Sequence, residues 1–101
     1  ENLFFKKNLK KGKFLEIEVK KLSQIEAALK LNPDIIMLDN LKYPSLIKAI
    51  SIISKKCMVE VSGIKGENNF KEVSKLDIDF ISLGDLTKNI SSIDFSLNFN
   101  V

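Results

Sequence analysis

Asp34-Ile-Ile-Met-Leu-Asp39-Asn40-Leu41 returns later in the chain as Asp79-Phe-Ile-Ser-Leu-Gly84-Asp85-Leu86, and this echo decides the fold. Each copy is a strand-sized run of branched apolar residues, opened by an aspartate and closed by a turn. Similar runs at residues 14–19 and 58–61 put strand starts near residues 14, 34, 58 and 79. Helical stripes lie between them. Leu22, Ile25, Ala28 and Leu29 form one, with Ser23 and Glu26 in capping-box spacing. Leu46, Ile47, Ile50 and Ile53 form the next, with Pro44 in its first turn, and a weaker helix over residues 67–75 centres on Phe70 and Val73. Strand–helix alternation predicts a parallel sheet with right-handed crossovers. The two copies of the echo are two βα units apart, the spacing of alternate strands in an α/β barrel. The fold class expected is therefore α/β, with parallel βα repeats forming part of a barrel.

Working outward, residues 1–10 read as the tail of a preceding helix. Ile93, Phe95, Leu97 and Phe99 alternate with polar residues, which predicts a half-buried terminal strand. Four parallel strands are half a barrel. The expectation is a sheet apolar on both faces, with unpaired edges beside residues 14–19 and at its far end. A lone monomer of that kind is not expected to be stable. Length agrees with one small domain: 101 residues, 45% hydrophobic, support a single core. No apolar run approaches the ~20 residues of a membrane helix, and no signal peptide is read at the start.

The missing residue types narrow the chemistry. All sixteen basic residues are lysines, and histidine and tryptophan are absent. That excludes Ser-His-Asp or Cys-His catalysis and a histidine-ligated metal within these residues. Net charge is +3, and Lys6, Lys7, Lys10, Lys11 and Lys13 cluster. Base readout relies on arginine forks and aromatic platforms, so the cluster reads as a solvated helix end and loop, and no nucleic-acid or membrane partner is expected. The one cysteine, Cys57, fits a reducing, cytoplasmic compartment and opens its strand on the face away from the expected site.

The strand C-termini read Glu18, Asp39-Asn40, Ser62-Gly63 and Gly84-Asp85. In α/β folds ligands bind at that end of the sheet. Glycines admit backbone N–H groups to a phosphate, and carboxylates opposite suit ribose hydroxyls or magnesium. Gly63 and Gly84 read equally well as plain turns, and Asp39 as a helix cap. Glu16 and Glu18 share one strand face, where an acid without a partner is costly. Asp34 and Asp79 precede their strands, at the opposite end, and read as turn or stability residues.

Leu15-Glu-Ile-Glu18-Val, Ile36-Met-Leu-Asp39-Asn40, Val59-Glu60-Val-Ser62-Gly63 and Phe80-Ile-Ser-Leu-Gly84-Asp-Leu-Thr87, in this order and spacing, closely resemble the C-terminal portion of the quinolinate phosphoribosyltransferase family, also called nicotinate-nucleotide pyrophosphorylases (carboxylating). The resemblance runs from about Lys13 onward and includes the ending Asp94-Phe-Ser-Leu. It implies a phosphoribosyltransferase-type α/β barrel of which residues 1–101 are the C-terminal part, without the N-terminal domain and first strands. It implies that quinolinate and phosphoribosyl pyrophosphate give nicotinate mononucleotide, pyrophosphate and CO₂, with Mg²⁺ and no organic cofactor. Glu18 and Asp39 take the catalytic roles by resemblance, contacting ribose hydroxyls and magnesium. Ser62, Gly63, Ile64, Gly84, Asp85 and Lys88 fall at the phosphate and substrate positions. Three depart from the family pattern: Ile64 replaces a second glycine, Asp85 a common alanine and Lys88 a common histidine. The cations that read quinolinate come from earlier in the family's chain, so these residues alone are expected to be inactive. A homo-oligomer, or the other half of the barrel, is the expected partner. The alternatives are a pyrophosphorylase-like protein of molybdenum operons and a non-catalytic phosphate-binding half-barrel or assembly module.

Overall fold

The computed structural model describes residues 4–8, 14–83 and 86–89. Six strands form one sheet in sequence order: β1 (Phe4–Asn8), β2 (Phe14–Val19), β3 (Ile35–Asp39), β4 (Met58–Ser62), β5 (Phe80–Leu83) and β6 (Leu86–Asn89). The pairings β2–β3, β3–β4 and β4–β5 are parallel. Helices α1 (Ile25–Leu29), α2 (Tyr43–Ile53) and α3 (Glu67–Ser74) make the crossovers. The expected α/β architecture is present. Among the described residues no helix is long and apolar enough to cross a membrane.

The core explains the alternation. Ile17, Val19, Ile36, Leu38, Val59, Val61 and Ile81 point to one side and pack with Ile25, Ala28, Leu46, Ala49, Ile53, Phe70 and Val73 of the helices. Branched residues suit the pleated surface, and helical stripes at three- and four-residue spacing close over it. In α2 the buried positions are Leu46, Ala49 and Ile53, while Ile47 from the expected stripe is exposed. Pro44 does stand in the first turn of α2. The turn before α1 is capped by Gln24, not by the expected Ser23–Glu26 pair: its side-chain oxygen accepts from the backbone N–H groups of Lys20 and Lys21 at 2.9 and 3.2 Å.

Three expectations are corrected. Residues 4–8, expected within the tail of a helix, are instead strand β1, antiparallel to β2. The edges of the parallel core are not unpaired either, because β1 lies along β2 and β6 lies antiparallel along β5. Finally, the sheet is not apolar on both faces. The side away from the helices carries Glu16, Glu18, Asp39, Glu60, Ser62 and Ser82 among Ile35, Met37 and Phe80. A strand lining a site must present polar groups there, and period-two alternation puts them on one face. The expected strand around Ile93–Phe99 lies outside the described residues.

The echo has a structural counterpart. Asp34 donates its backbone N–H to Leu15 O and accepts the Leu15 N–H on Oδ2, both at 2.8 Å. Asp79 makes the same ring with Val59, at 2.9 and 3.0 Å. These clasps close the amino ends of β3 and β5 onto their neighbours, as the turn-and-stability reading expects.

Candidate functional site at the carboxyl ends of the strands

Parallel pairing carries four strand ends to one rim of the sheet. Glu18 stands beside Met37, Met37 beside Glu60 and Glu60 beside Phe80 in one row across the sheet. One step nearer the rim, Asp39 stands beside Ser62. Alternation puts Lys20 on the same side as Glu18. Its ammonium reaches Asp39 Oδ2 at 3.6 Å and Glu18 Oε2 at 4.0 Å. Side-chain exposures of 16% for Glu18 and 23% for Asp39, against 51% for Lys20, mean that the acids are sheltered while the lysine comes in from solvent.

The turns beyond Asp39 and Ser62 interlock. Asn40 adopts φ +61°, a left-handed conformation that Asn tolerates better than most residues, and donates its N–H to Ser62 O at 2.9 Å. Gly63 follows at φ +83°, and a Cβ there would lie 3.0 Å from both Asn40 Cα and Asn40 N. Glycine is required here by conformation and by space. Asp39 is no helix cap, because Lys42 holds the N-cap position of α2. A cavity of about 290 Å³ opens beside this turn, lined by Ser62, Gly63, Ile64, Tyr43, Lys65 and Asn69. Glu18 and Asp39 stand outside it.

Deeper in the sheet, Glu60 is buried and accepts a hydrogen bond from the Ser82 hydroxyl. This bond braces β4 against β5 beneath the rim. At the opposite end a cavity of about 400 Å³ holds Asp34, Cys57 and Asp79. Burial pushes the Cys57 thiol up, a hydrogen bond from the Ile36 backbone lowers it, and the Asp79 and Asp34 carboxylates raise it further. A thiol kept protonated, and far from the rim, is no catalytic nucleophile.

The structure thus brings Glu18, Asp39, Ser62, Gly63 and Ile64 to one end of the sheet. Gly84 and Asp85 lie outside the described residues, and Lys88 lies in β6, with its side chain outside them. Lys20, Glu60 and Ser82 did not emerge from the sequence as site residues. The signal for Lys20 was present, since Glu16, Glu18 and Lys20 share one period-two face. Among the described residues no three acidic, cysteine or histidine side chains converge as metal ligands. The arrangement offers two carboxylates for a cation or for hydroxyls, beside a turn open to an anion.

Residues 4–98 match the family described as quinolinate phosphoribosyl transferase, C-terminal domain. A probable nicotinate-nucleotide pyrophosphorylase [carboxylating] of Methanocaldococcus jannaschii is 39% identical over 100 residues, covering 92% of this chain and 35% of its own length. The nicotinate-nucleotide pyrophosphorylase [carboxylating] of Rattus norvegicus is 34% identical over 86 residues, covering 82% of this chain and 29% of its own. The crystal structure of the nicotinate-nucleotide pyrophosphorylase from Ehrlichia chaffeensis superposes with a TM-score of 0.69 at 34% identity, covering 81% of this chain and 31% of that one. The chain spans about a third of the length of these relatives. On the extent of that match, the chain belongs to the quinolinate phosphoribosyl transferase C-terminal domain family.

Proposed function

We propose that the chain supplies the sugar-binding acids of a quinolinate phosphoribosyltransferase, which forms nicotinate mononucleotide, pyrophosphate and CO₂ from quinolinate and phosphoribosyl pyrophosphate in NAD synthesis. The observation that carries this reading is the Glu18–Asp39 pair, set on adjacent strand ends beside the Ser62–Gly63 turn. As diphosphate leaves the anomeric carbon, the sugar becomes cationic. Two sheltered carboxylates stabilise that charge more than they stabilise the neutral sugar, which lowers the barrier. In the ground state the same oxygens accept the ribose hydroxyls. The backbone at Ser62, Gly63 and Ile64, with Gly84, Asp85 and Lys88, is assigned to the phosphate and substrate contacts.

Two carboxylates fit magnesium, which binds through one or two carboxylates plus substrate phosphates. Glu18 and Asp39 would hold it. Held there with the diphosphate, the ion would neutralise charge on the leaving group. The complete enzyme is further proposed to be cytoplasmic and to act as a dimer or larger oligomer.

The test is nicotinate mononucleotide formation by the full-length protein as it occurs naturally. Glu18→Gln and Asp39→Asn should each cost ~2–4 kcal/mol of transition-state stabilisation with little change in melting temperature. Residues 1–101 alone should give no product, because a dianionic substrate needs several fixed cations. If both variants melt early yet turn over normally when folded, the acids are structural and the reading is wrong.

A further inference from the structure

We propose that Lys20 is an internal counter-ion of the Glu18–Asp39 pair, which a divalent cation must displace in order to bind there. The proposal rests on the reading of that pair as the cation-binding end of the site. Lys20 is the next residue on the face that carries Glu16 and Glu18, and its backbone N–H is held by the buried Gln24 carboxamide. The base of its side chain is therefore fixed at the rim. Its ammonium stands 3.6 Å from Asp39 Oδ2 and 4.0 Å from Glu18 Oε2, beyond the roughly 2.7–2.9 Å of a strong charge-assisted hydrogen bond. The four-carbon stem is flexible and half exposed, so water is within reach of an ammonium that a cation displaces.

The consequence is selectivity. A bare divalent cation has to expel the ammonium and leave it solvated beside a second positive charge. A cation that arrives with a diphosphate offers the displaced ammonium an anionic partner. Lys20 thereby disfavours free metal relative to metal carried by the substrate. Two acids without this lysine would make no such distinction.

The experiment is Mn²⁺ titration of the full-length protein, with free Mn²⁺ read by electron paramagnetic resonance and no substrate present. Lys20→Met keeps most of the stem and removes the charge. It should tighten Mn²⁺ binding by about three- to tenfold, the scale of one or two partly exposed ion pairs. Lys20→Arg retains the charge and should stay near the wild-type affinity, while Asp39→Asn should weaken binding. Equal or weaker binding by Lys20→Met, with an unchanged circular dichroism spectrum, overturns the counter-ion role alone. Absence of Mn²⁺ binding in both wild type and Lys20→Met overturns it together with the cation-site reading beneath it.

Discussion

Gly63 shows how little room the rim leaves. Its φ of +83° already disfavours any other residue, and Asn40 backbone stands where a methyl group would go. Gly63→Ala should therefore destabilise the chain by about 1–3 kcal/mol, the scale of local backbone strain. Urea unfolding measures this, and an unchanged midpoint would mean that the two turns can separate freely. The placement of Glu18 and Asp39 on one rim was legible in the sequence, because each closes a strand-sized apolar run. Lys20 was not. In a chain whose basic residues are all lysines, one more lysine carries no signal of its own. Only the strand's alternation, followed one residue past its apolar end, points it at the acids. Glu60 was hidden differently: an acid within an apolar strand becomes intelligible once its partner, Ser82 on the next strand, is known.

Elements were legible in proportion to how much apolar pattern they carry. The four parallel strands and the helices between them carry branched residues and stripes that no solvated segment needs. Phe4-Phe5-Lys6-Lys7-Asn8 and Leu86-Thr87-Lys88-Asn89 show neither alternation nor a continuous apolar run. Their strand state comes from the neighbour they pair with, which is tertiary context overriding a weak local preference. The aspartate clasps make the register of the parallel core testable. Asp34→Ala and Asp79→Ala each leave a strand N–H of the preceding unit without its carboxylate partner. A loss of about 1–2 kcal/mol per substitution is expected, larger for Asp79 because its bond is the more sheltered. Thermal melts check this, and the proposed nicotinate mononucleotide formation by full-length protein carrying either variant should be unaffected because the clasps lie at the opposite end from the rim. If Asp79→Ala melted like wild type, the clasp would contribute nothing to register.

For the whole molecule, the covered edges bear on how the proposed assembly would form. With β1 and β6 along the parallel core, association cannot rest on unpaired strands beside β2 or β5. It rests on faces. The helices cover one side of the sheet, while Tyr43, Ile47 and Ile52 of α2 and Met58 at the start of β4 are large apolar side chains left exposed. Residues 1–101 are expected to sediment at low micromolar concentration as a species larger than the 11.4 kDa monomer. A sharp monomer boundary with cooperative melting would show that the chain satisfies both faces by itself. The covered edges also bear on the order in which the fold is reached. Among the described residues, β1–β2 and β5–β6 are the antiparallel, hairpin-like pairings, with five and two residues between their strands. Such hairpins close within microseconds, whereas each parallel pairing must first close a longer loop around its crossover helix. The sheet is therefore expected to assemble from its margins inward, with the β1–β2 hairpin available as soon as those residues leave the ribosome. The parallel centre, slow to form and prone to aggregate while open, would then be bordered by finished strands before its own pairings are complete.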